Sequence, residues 1–300
     1  GRAGAPRVRL REVAQQRTKD GTLTLKVVIE QTQRAAPFPL EVPVIVTTLD
    51  GKGIKTTVPL QGRTGTAEIK LGVPAARVDV DPFIDTFRAL LDGETAPSLS
   101  RALGARAMTF VLPTLATKEE RAAWKGFMLA ICGAETKCAA VDDKDVPTLP
   151  TDGATWILGY GNRLRGAAVV SASRYGANLS DTGFLSPGPW TTERLKAERT
   201  EPGKASIALA LAHPGGERLG FAFVAAHDPK AIALLARKLP HYGKYGWLAF
   251  AGDVANGKLE NTLKGLWETD LSPLTAFLGA TQPPRALTSG PPLATLPPPI

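Results

Sequence analysis

The segment LTLKVVIE, residues 23–30, decides the first part of the fold because apolar and polar residues alternate along it. Alternation with a period of two places the apolar side chains on one face of a β-strand. The same pattern recurs in VPVIVTT, residues 42–48, and in AEIKL, residues 67–71, with glycine-containing turns between the segments. Such turns favour antiparallel hairpins. We therefore predict a β-sandwich domain over residues 1–80.

The segment DPFIDTFRALL, residues 81–91, changes to the spacing of an α-helix. Pro82 stands where proline is favoured, in the first turn of a helix. We predict a helical connector over residues 81–105. The apolar residues that would share one face of its helix are Phe83, Phe87, Leu90 and Leu91.

From residue 106 onward, strand patterns alternate with helix patterns. AMTFVLP, residues 107–113, is predicted to be a strand, and TKEE, residues 117–120, is a capping box that opens a helix ending near Cys132. Residues 162–174 fit a helix or a strand. Alternating strands and helices imply a sheet with parallel pairs, covered by helices. Residues 106–280 are therefore predicted to form a three-layer α/β domain with a mixed, partly parallel sheet, in a two-domain α+β and α/β chain.

Residues 281–300 are predicted to be a Pro-rich tail, because seven prolines fall within them and proline builds neither helix interiors nor central strands. One interpretation is a polyproline-II strap laid across a domain surface. The other is a ligand for a proline-binding module. The prolines lack a repeated P-x-x-P register, which favours the strap.

The composition is that of an ordinary globular protein, with 43% hydrophobic and 21% charged residues. No run of about 18 apolar residues occurs, so no membrane-spanning helix is predicted. The net charge of +8 favours contact with polyanions. Lys and Arg are scattered singly without a basic block interleaved with aromatic residues, so nucleic acid is not a predicted partner. Contact with an envelope polyanion requires that these cations converge on one face of the folded chain.

The first residues include no initiator Met and no apolar segment, so we expect a cut, tagged or processed terminus. For an exported chain we expect that a signal peptide has been removed. The two cysteines, Cys132 and Cys138, fit neither a Cys-x-x-Cys motif nor a zinc knuckle. A local disulfide, formed in an oxidising compartment, is one interpretation of this pair. Two unpaired buried cysteines are the other.

The sequence contains no catalytic motif that we recognise. There is no His-Glu-x-x-His zinc helix and no Gly-x-Ser-x-Gly nucleophile elbow. We therefore predict no metal and no cofactor, and we favour a chain that is not an enzyme. The segment HYGKYGWLAF, residues 241–250, is the densest cluster of chemically active and aromatic residues. His241 and Lys244 are suited to anion binding, whereas Tyr245 and Trp247 favour packing, and we give packing priority.

Two segments, IEQT at residues 29–32 and FPLEVPV at residues 38–44, resemble the β-domain that follows the catalytic domain in alanyl-aminopeptidase-like proteins of the gluzincin class. Other segments resemble an extension found at the end of some bacterial members, and the resemblance covers most of residues 10–278. These segments are VDVDP at 78–82, DTFR at 85–88, VLP at 111–113, Leu158-Gly159 with Asn162, and HYGKY at 241–245.

This resemblance implies a non-catalytic binding or structural module of an exported bacterial peptidase-like protein, periplasmic or secreted. Its partner would be another protein or an upstream peptidase-like domain. The residues expected to be structural are Asp81, Pro82, Asp85, Phe87, Arg88, Tyr245 and Trp247.

The alternative hypothesis is a small hydrolase or ligand-binding α/β domain. Open sheets bind ligands at the carboxyl ends of their parallel strands, so its pocket would lie there. The residues proposed to line it or to bind a partner are Asn162, His213, His227, His241 and Lys244. Three histidines meeting in one cleft would favour this hypothesis.

Overall fold

The computed structural model describes residues 4–19, 21–175, 177–179, 185–187, 206–216, 218–267 and 272–286. They belong to two compact units. The first holds the described residues up to Glu94 together with those from 272 onward, and the second begins at Thr95. The predicted fold class is confirmed, because antiparallel sheets come first and a mixed, partly parallel sheet follows.

The elements are numbered in chain order. The strands are β1 (Val8–Arg17), β2 (Leu23–Gln31), β3 (Leu40–Thr48), β4 (Gly53–Leu60), β5 (Thr64–Leu71), β6 (Ala75–Val80), β7 (Ala107–Leu112), β8 (Lys137–Asp142), β9 (Ala154–Leu158), β10 (Ala177–Leu179), β11 (Leu185–Pro187), β12 (Ser206–Ala210), β13 (Phe221–Ala225), β14 (Trp247–Ala251), β15 (Glu260–Gly265) and β16 (Thr275–Phe277). The helices are α1 (Leu99–Leu103), α2 (Lys118–Ile131), α3 (Arg165–Ser173) and α4 (Pro229–Lys238).

The first unit is a sandwich of two antiparallel sheets, with strand orders β1-β2-β5 and β16-β6-β3-β4. Alternate residues of β2 face the core, including Leu25 and Val27, and they meet Val44 and Val46 of β3. The alternation of apolar and polar residues in the sequence therefore corresponds to alternate burial along the strand. Strand β16 comes from far along the chain, and Thr275 pairs with Asp79 of β6.

The predicted helix over residues 81–91 is wrong. The segment is irregular, with positive φ angles at Asp81 (48°) and Ile84 (59°), and the only helix found between residues 81 and 105 is α1. The carboxylate of Asp81 accepts hydrogen bonds from the backbone N–H of Thr86 and from the side chain of Arg88. These side-chain bonds replace the backbone ladder that a helix would need.

The second unit is built on a seven-stranded sheet of order β15-β14-β12-β13-β9-β7-β8. Strands β13, β9, β7 and β8 run parallel to one another. On the other side of β13 the pairing is antiparallel: β12 pairs with β13, β14 with β12, and β15 with β14. Helix α2 begins at the predicted capping box, because the side chain of Thr117 accepts a hydrogen bond from the N–H of Glu120.

Two apolar cores lie on the two faces of this sheet. The α2 core contains Phe110, Trp156 and Phe250, with buried residues of α1, α2 and α4. The α3 core contains Phe221 and Trp247, with buried residues of α3. Residues 162–174, whose sequence fitted either a helix or a strand, are largely helix α3. No helix of the described segments is long and apolar enough to cross a membrane.

The start of the Pro-rich tail runs along the first unit. The guanidinium of Arg77 donates to the carbonyl oxygen of Pro283 (3.2 Å), and the N–H of Ala286 donates to Thr47 Oγ1 (3.0 Å). The guanidinium of Arg285 lies over the ring of Phe83. For residues 281–286 these contacts favour the strap interpretation, and residues 287–300 lie outside the described residues.

Candidate functional site

The carboxyl ends of β7, β8, β9 and β13 share one edge of the sheet because these strands are parallel. Open α/β sheets commonly bind ligands at this edge. The polar residues that follow the four strands are Thr114, Asp143, Asn162 and His227.

The carboxylate of Asp143 is occupied by neighbours in the chain. It accepts hydrogen bonds from the backbone N–H and the hydroxyl of Thr114 and from the N–H of Arg163. Burial alone raises the pKa of Asp143, but these hydrogen bonds outweigh it, so the pKa lies below its ordinary value. A buried carboxylate with three donors is held as an anion and joins the turns after β7, β8 and β9.

The Asn162 side chain has a comparable structural role. Its amide Nδ2 donates to the carbonyl oxygens of Val111 (2.9 Å) and Leu158 (3.1 Å), and its Oδ1 accepts from the N–H of Leu164 (3.0 Å). Asn162 is buried. It therefore ties the end of β7 to the end of β9 and caps the turn before α3.

His227 is exposed at the same edge, and its ring stacks on that of Tyr160 with 4.5 Å between centroids. Tyr160 in turn packs edge-on against Phe223 of β13. Burial raises the pKa of Tyr160, so its hydroxyl stays protonated at neutral pH. The polar and aromatic groups of this edge thus contact one another.

His213 lies at the opposite edge of the sheet. Its ring packs against Phe221, the first residue of β13, whereas His227 comes two residues after Ala225, the last. The four residue steps from Phe221 to Ala225 span about 13 Å, so the two histidines lie beside opposite ends of this strand. His213 lies at the opposite edge because it follows β12, which runs antiparallel to β13.

His213 is only 2% exposed and is fixed by two hydrogen bonds. Gly215 N–H donates to its Nδ1 (2.9 Å), so Nε2 carries the proton and donates to the carbonyl oxygen of Pro150 (3.0 Å). Burial lowers the pKa of His213, and the hydrogen bond to Pro150 only partly opposes this. His213 is therefore a neutral core residue.

Because the pKa of His213 is lowered by folding, this group stabilises the fold fully above the ordinary histidine pKa of 6.5. We expect the free energy of unfolding to fall as the pH drops from about 7.5 to about 5.5, since the unfolded chain binds a proton that the folded chain resists. Chemical denaturation followed by tryptophan fluorescence measures this. The His213→Gln variant should lose part of the pH dependence, and His241→Gln, at an exposed position, should keep it. An unchanged pH dependence in His213→Gln would contradict the assignment.

His241 and Lys244 are both exposed and lie in the turn between α4 and β14. Their neighbours Tyr242 and Tyr245 pack against the α2 core, whereas His213 packs against Phe221 of the α3 core. The three histidines do not meet in one cleft. The hypothesis of a His-lined pocket at the strand carboxyl ends is therefore wrong for His213 and His241. His213 follows β12, which runs antiparallel to β13, and His241 precedes β14, which runs in the same direction as β13.

The structure contains a cleft that sequence reasoning missed. Its volume is about 260 Å³, and its lining is almost entirely apolar. None of the predicted site residues lines it, and its small residues gave no signal in the sequence. The lining residues are Gly166, Ala167, Val170, Ser171, Arg174, Ala212 and Pro214.

The segment 81–94, which we call the docking loop, is built on a buried ionic network. Arg88 donates to the carboxylate of Asp81 (2.7 Å) and, through two guanidinium nitrogens, to that of Glu94 (2.6 and 2.8 Å). All three side chains are buried. Burial alone lowers the pKa of Arg88, but the bonds to Glu94 and Asp81 outweigh it and hold the pKa above its ordinary value.

Around this network the docking loop exposes large apolar side chains. Phe87 is 82% exposed and Phe83 is 53% exposed, and Ile84 and Leu90 are exposed as well. Two further residues of this loop were expected to be structural: Pro82 is half-buried and Asp85 is exposed. The resemblance marked Phe87 as structural, yet its ring faces solvent.

A disulfide joins Cys132, the C-cap of α2, to Cys138 in β8. It ties the helix end to the outer strand of the sheet. Within the described ranges, no group of three or more His, Cys, Asp or Glu side chains is placed to hold a metal ion. No protein-family model matches the chain, and no curated protein matches it significantly.

Proposed function

We propose that this chain is a non-catalytic, protein-binding module of an exported bacterial peptidase-like protein. In this proposal the docking loop contacts the partner, which is a peptidase-like domain. The observation that carries the proposal is the display of four exposed apolar side chains on a buried ionic network.

The Phe87 ring is 82% exposed, so its apolar surface is left in water in the isolated chain. Burial of one such side chain against a partner is worth roughly 1.5–3 kcal/mol. Aromatic residues are also enriched among those that dominate binding energy. Because Asp81, Arg88 and Glu94 fix the backbone that carries Phe87, little conformational entropy is lost when the loop binds. A rigid apolar surface of this kind suits a folded protein partner.

The position of the docking loop also suits a partner domain that is linked through the segment before β1. Ala89 N–H donates to the carbonyl oxygen of Pro6 (2.8 Å), so the loop lies beside the segment that leads into β1. A domain linked through that segment would be tethered next to the loop. Tethering raises the effective concentration of the two surfaces.

Two further observations support the remaining parts of the proposal. The disulfide between Cys132 and Cys138 favours export, because disulfides persist in oxidising compartments. At the carboxyl edge of the sheet, the side chains of Asp143 and Asn162 form hydrogen bonds with the backbone of neighbouring segments. This arrangement favours a structural over a catalytic role.

The Phe87→Asp variant should bind a purified bacterial gluzincin aminopeptidase domain at least about tenfold more weakly than the wild type, because a charge would enter an apolar contact. Its stability should change by less than about 0.5 kcal/mol, since Phe87 is 82% exposed. Biolayer interferometry with the immobilised chain measures binding.

The matched control is Leu49→Asp, which changes another exposed apolar residue of the first unit (60% exposed) outside the docking loop. It should bind as the wild type does. Equal binding by Phe87→Asp and the wild type would refute the docking surface. Failure of the wild type to bind the aminopeptidase domain would refute the proposed partner.

A further inference from the structure

Cationic groups that are scattered in the sequence converge at one corner of the second unit. Residues 237–246 contain no Asp or Glu, and a lysine of β15 is brought to the same corner. Most of these groups are exposed. The members of this basic corner are Arg237, Lys238, His241, Lys244 and Lys264.

Two glycines allow the two lysines to come together. Strands β14 and β15 pair with Leu248 opposite Lys264, and Gly246 N–H donates to the carbonyl oxygen of Gly265 (2.9 Å). A Cβ at Gly246 would lie 2.5 Å from the ring of Trp267, and one at Gly265 would lie 2.2 Å from the ring of Trp247. Only glycine fits these close approaches.

The ring of Tyr245 lies next to both ammonium groups. Lys244 Nζ is 5.2 Å and Lys264 Nζ is 5.7 Å from the ring centroid, within the range of cation–π attraction. The backbone beneath is fixed by α1, because Leu99 N–H donates to the carbonyl oxygen of Tyr245 (2.9 Å). Two cations are thus held beside one ring in a turn that is fixed in place.

The positive charge of the basic corner is not neutralised by the part of the chain that the structure describes. None of its five members forms an ion pair there with an aspartate or glutamate. Lys244 and Lys264 repel each other, and this repulsion is relieved when an anion binds near both. The whole chain, with these groups included, carries a net charge of +8, which attracts polyanions over longer distances.

We propose that the basic corner binds the phosphate groups of a polyanion, with Lys244 and Lys264 as its central ligands. Lysine ammonium groups bind phosphate as point charges, and several cations along one surface match a ligand with repeated phosphates. Because the Tyr245 ring already contacts two ammonium groups, it is not presented for stacking with a nucleic-acid base. This site is separate from the docking loop and does not depend on it.

The test compares two double variants of the full chain that remove the same charge. Lys244→Gln/Lys264→Gln should bind a short inorganic polyphosphate about 10- to 30-fold more weakly than the wild type at low ionic strength, because each lysine near an anionic surface contributes about fivefold. The matched control is Lys118→Gln/Lys125→Gln, at two exposed lysines of α2. It should lose less than about threefold. Isothermal titration calorimetry measures binding, and tryptophan fluorescence checks that both variants fold.

A second set of ligands identifies the source of the phosphate. Phosphatidylglycerol vesicles bound through the same two lysines, with no binding to phosphatidylcholine vesicles, would assign a lipid headgroup. Binding to polyphosphate without binding to either vesicle would assign a soluble polymer. Equal losses in the two double variants, or no binding by the wild type, would overturn the proposal. Tighter binding to single-stranded DNA than to polyphosphate would also overturn it, because the bases would then be recognised.

Discussion

Replacement of Arg88 by methionine should lower the free energy of unfolding of the first unit by about 3 to 5 kcal/mol. The guanidinium is buried and is bonded to two buried carboxylates, those of Asp81 and Glu94. Methionine preserves the length of the aliphatic stem but leaves both carboxylates without a counter-ion in a site that water does not reach. Uncompensated buried charges of this kind are among the most destabilising consequences of a single substitution.

The measurement can be made on each unit separately, because all five tryptophans lie in the part of the sequence assigned to the second unit. Far-ultraviolet circular dichroism in increasing urea follows both units, whereas tryptophan fluorescence follows the second alone. We expect Arg88→Met to shift the circular dichroism transition to lower urea concentration and to leave the tryptophan fluorescence transition almost unchanged. Lys26→Met, which breaks the exposed ion pair with Glu12, is the matched control and should have a much smaller effect.

A triple variant tests the physical cause. Asp81→Asn, Arg88→Met and Glu94→Gln together remove all three charges, so that no unpaired ion remains buried. Part of the stability lost in Arg88→Met should return. A triple variant that is less stable than Arg88→Met would show that the carboxylates contribute something other than ionic partners for Arg88.

The strands of the first unit could be predicted from sequence because one face of each sheet is buried, which imposes a period of two. Residues 23–30 were predicted in this way, and they fall within β2. The segment 81–91 has helical spacing but no helix. Leu91 packs against the core of the first unit, but Phe83, Ile84, Phe87 and Leu90 are exposed. Periodicity predicts structure only where the repeating apolar residues are buried together, and in this segment most of them are not.

The candidate site was only partly predictable for a related reason. A residue that follows a strand can be assigned to an edge of the sheet only if the direction of the strand is known. Asn162 and His227 follow parallel strands and lie at the predicted edge, whereas His213 follows the antiparallel strand β12 and lies at the other. The meeting of Lys244 with Lys264 depends on pairing between β14 and β15, which local patterns do not encode.

Replacement of Trp247 by alanine should lower the free energy of unfolding of the second unit by about 3 to 5 kcal/mol, the range for removal of a large buried aromatic side chain. Trp247 is 4% exposed and belongs to the α3 core. Its ring lies directly against Gly265, and its Nε1 donates to the carbonyl oxygen of Leu266 (3.2 Å). Alanine would leave a cavity and an unpaired carbonyl oxygen. Urea denaturation followed by the fluorescence of the remaining tryptophans measures the loss, and Trp247→Phe should lose less.

Lys244→Ala is the control within the same segment. Its side chain is exposed, so the free energy of unfolding should change by no more than about 0.5 kcal/mol. Trp247 would then support the turn through packing, and Lys244 would be free to serve binding. A near-neutral Trp247→Ala would contradict the packing role of this segment, because a ring that can be removed without loss is not part of the core. A large loss in Lys244→Ala would show that the cation–π contact with Tyr245 stabilises the turn, and the lysine would then be structural as well as ligand-binding.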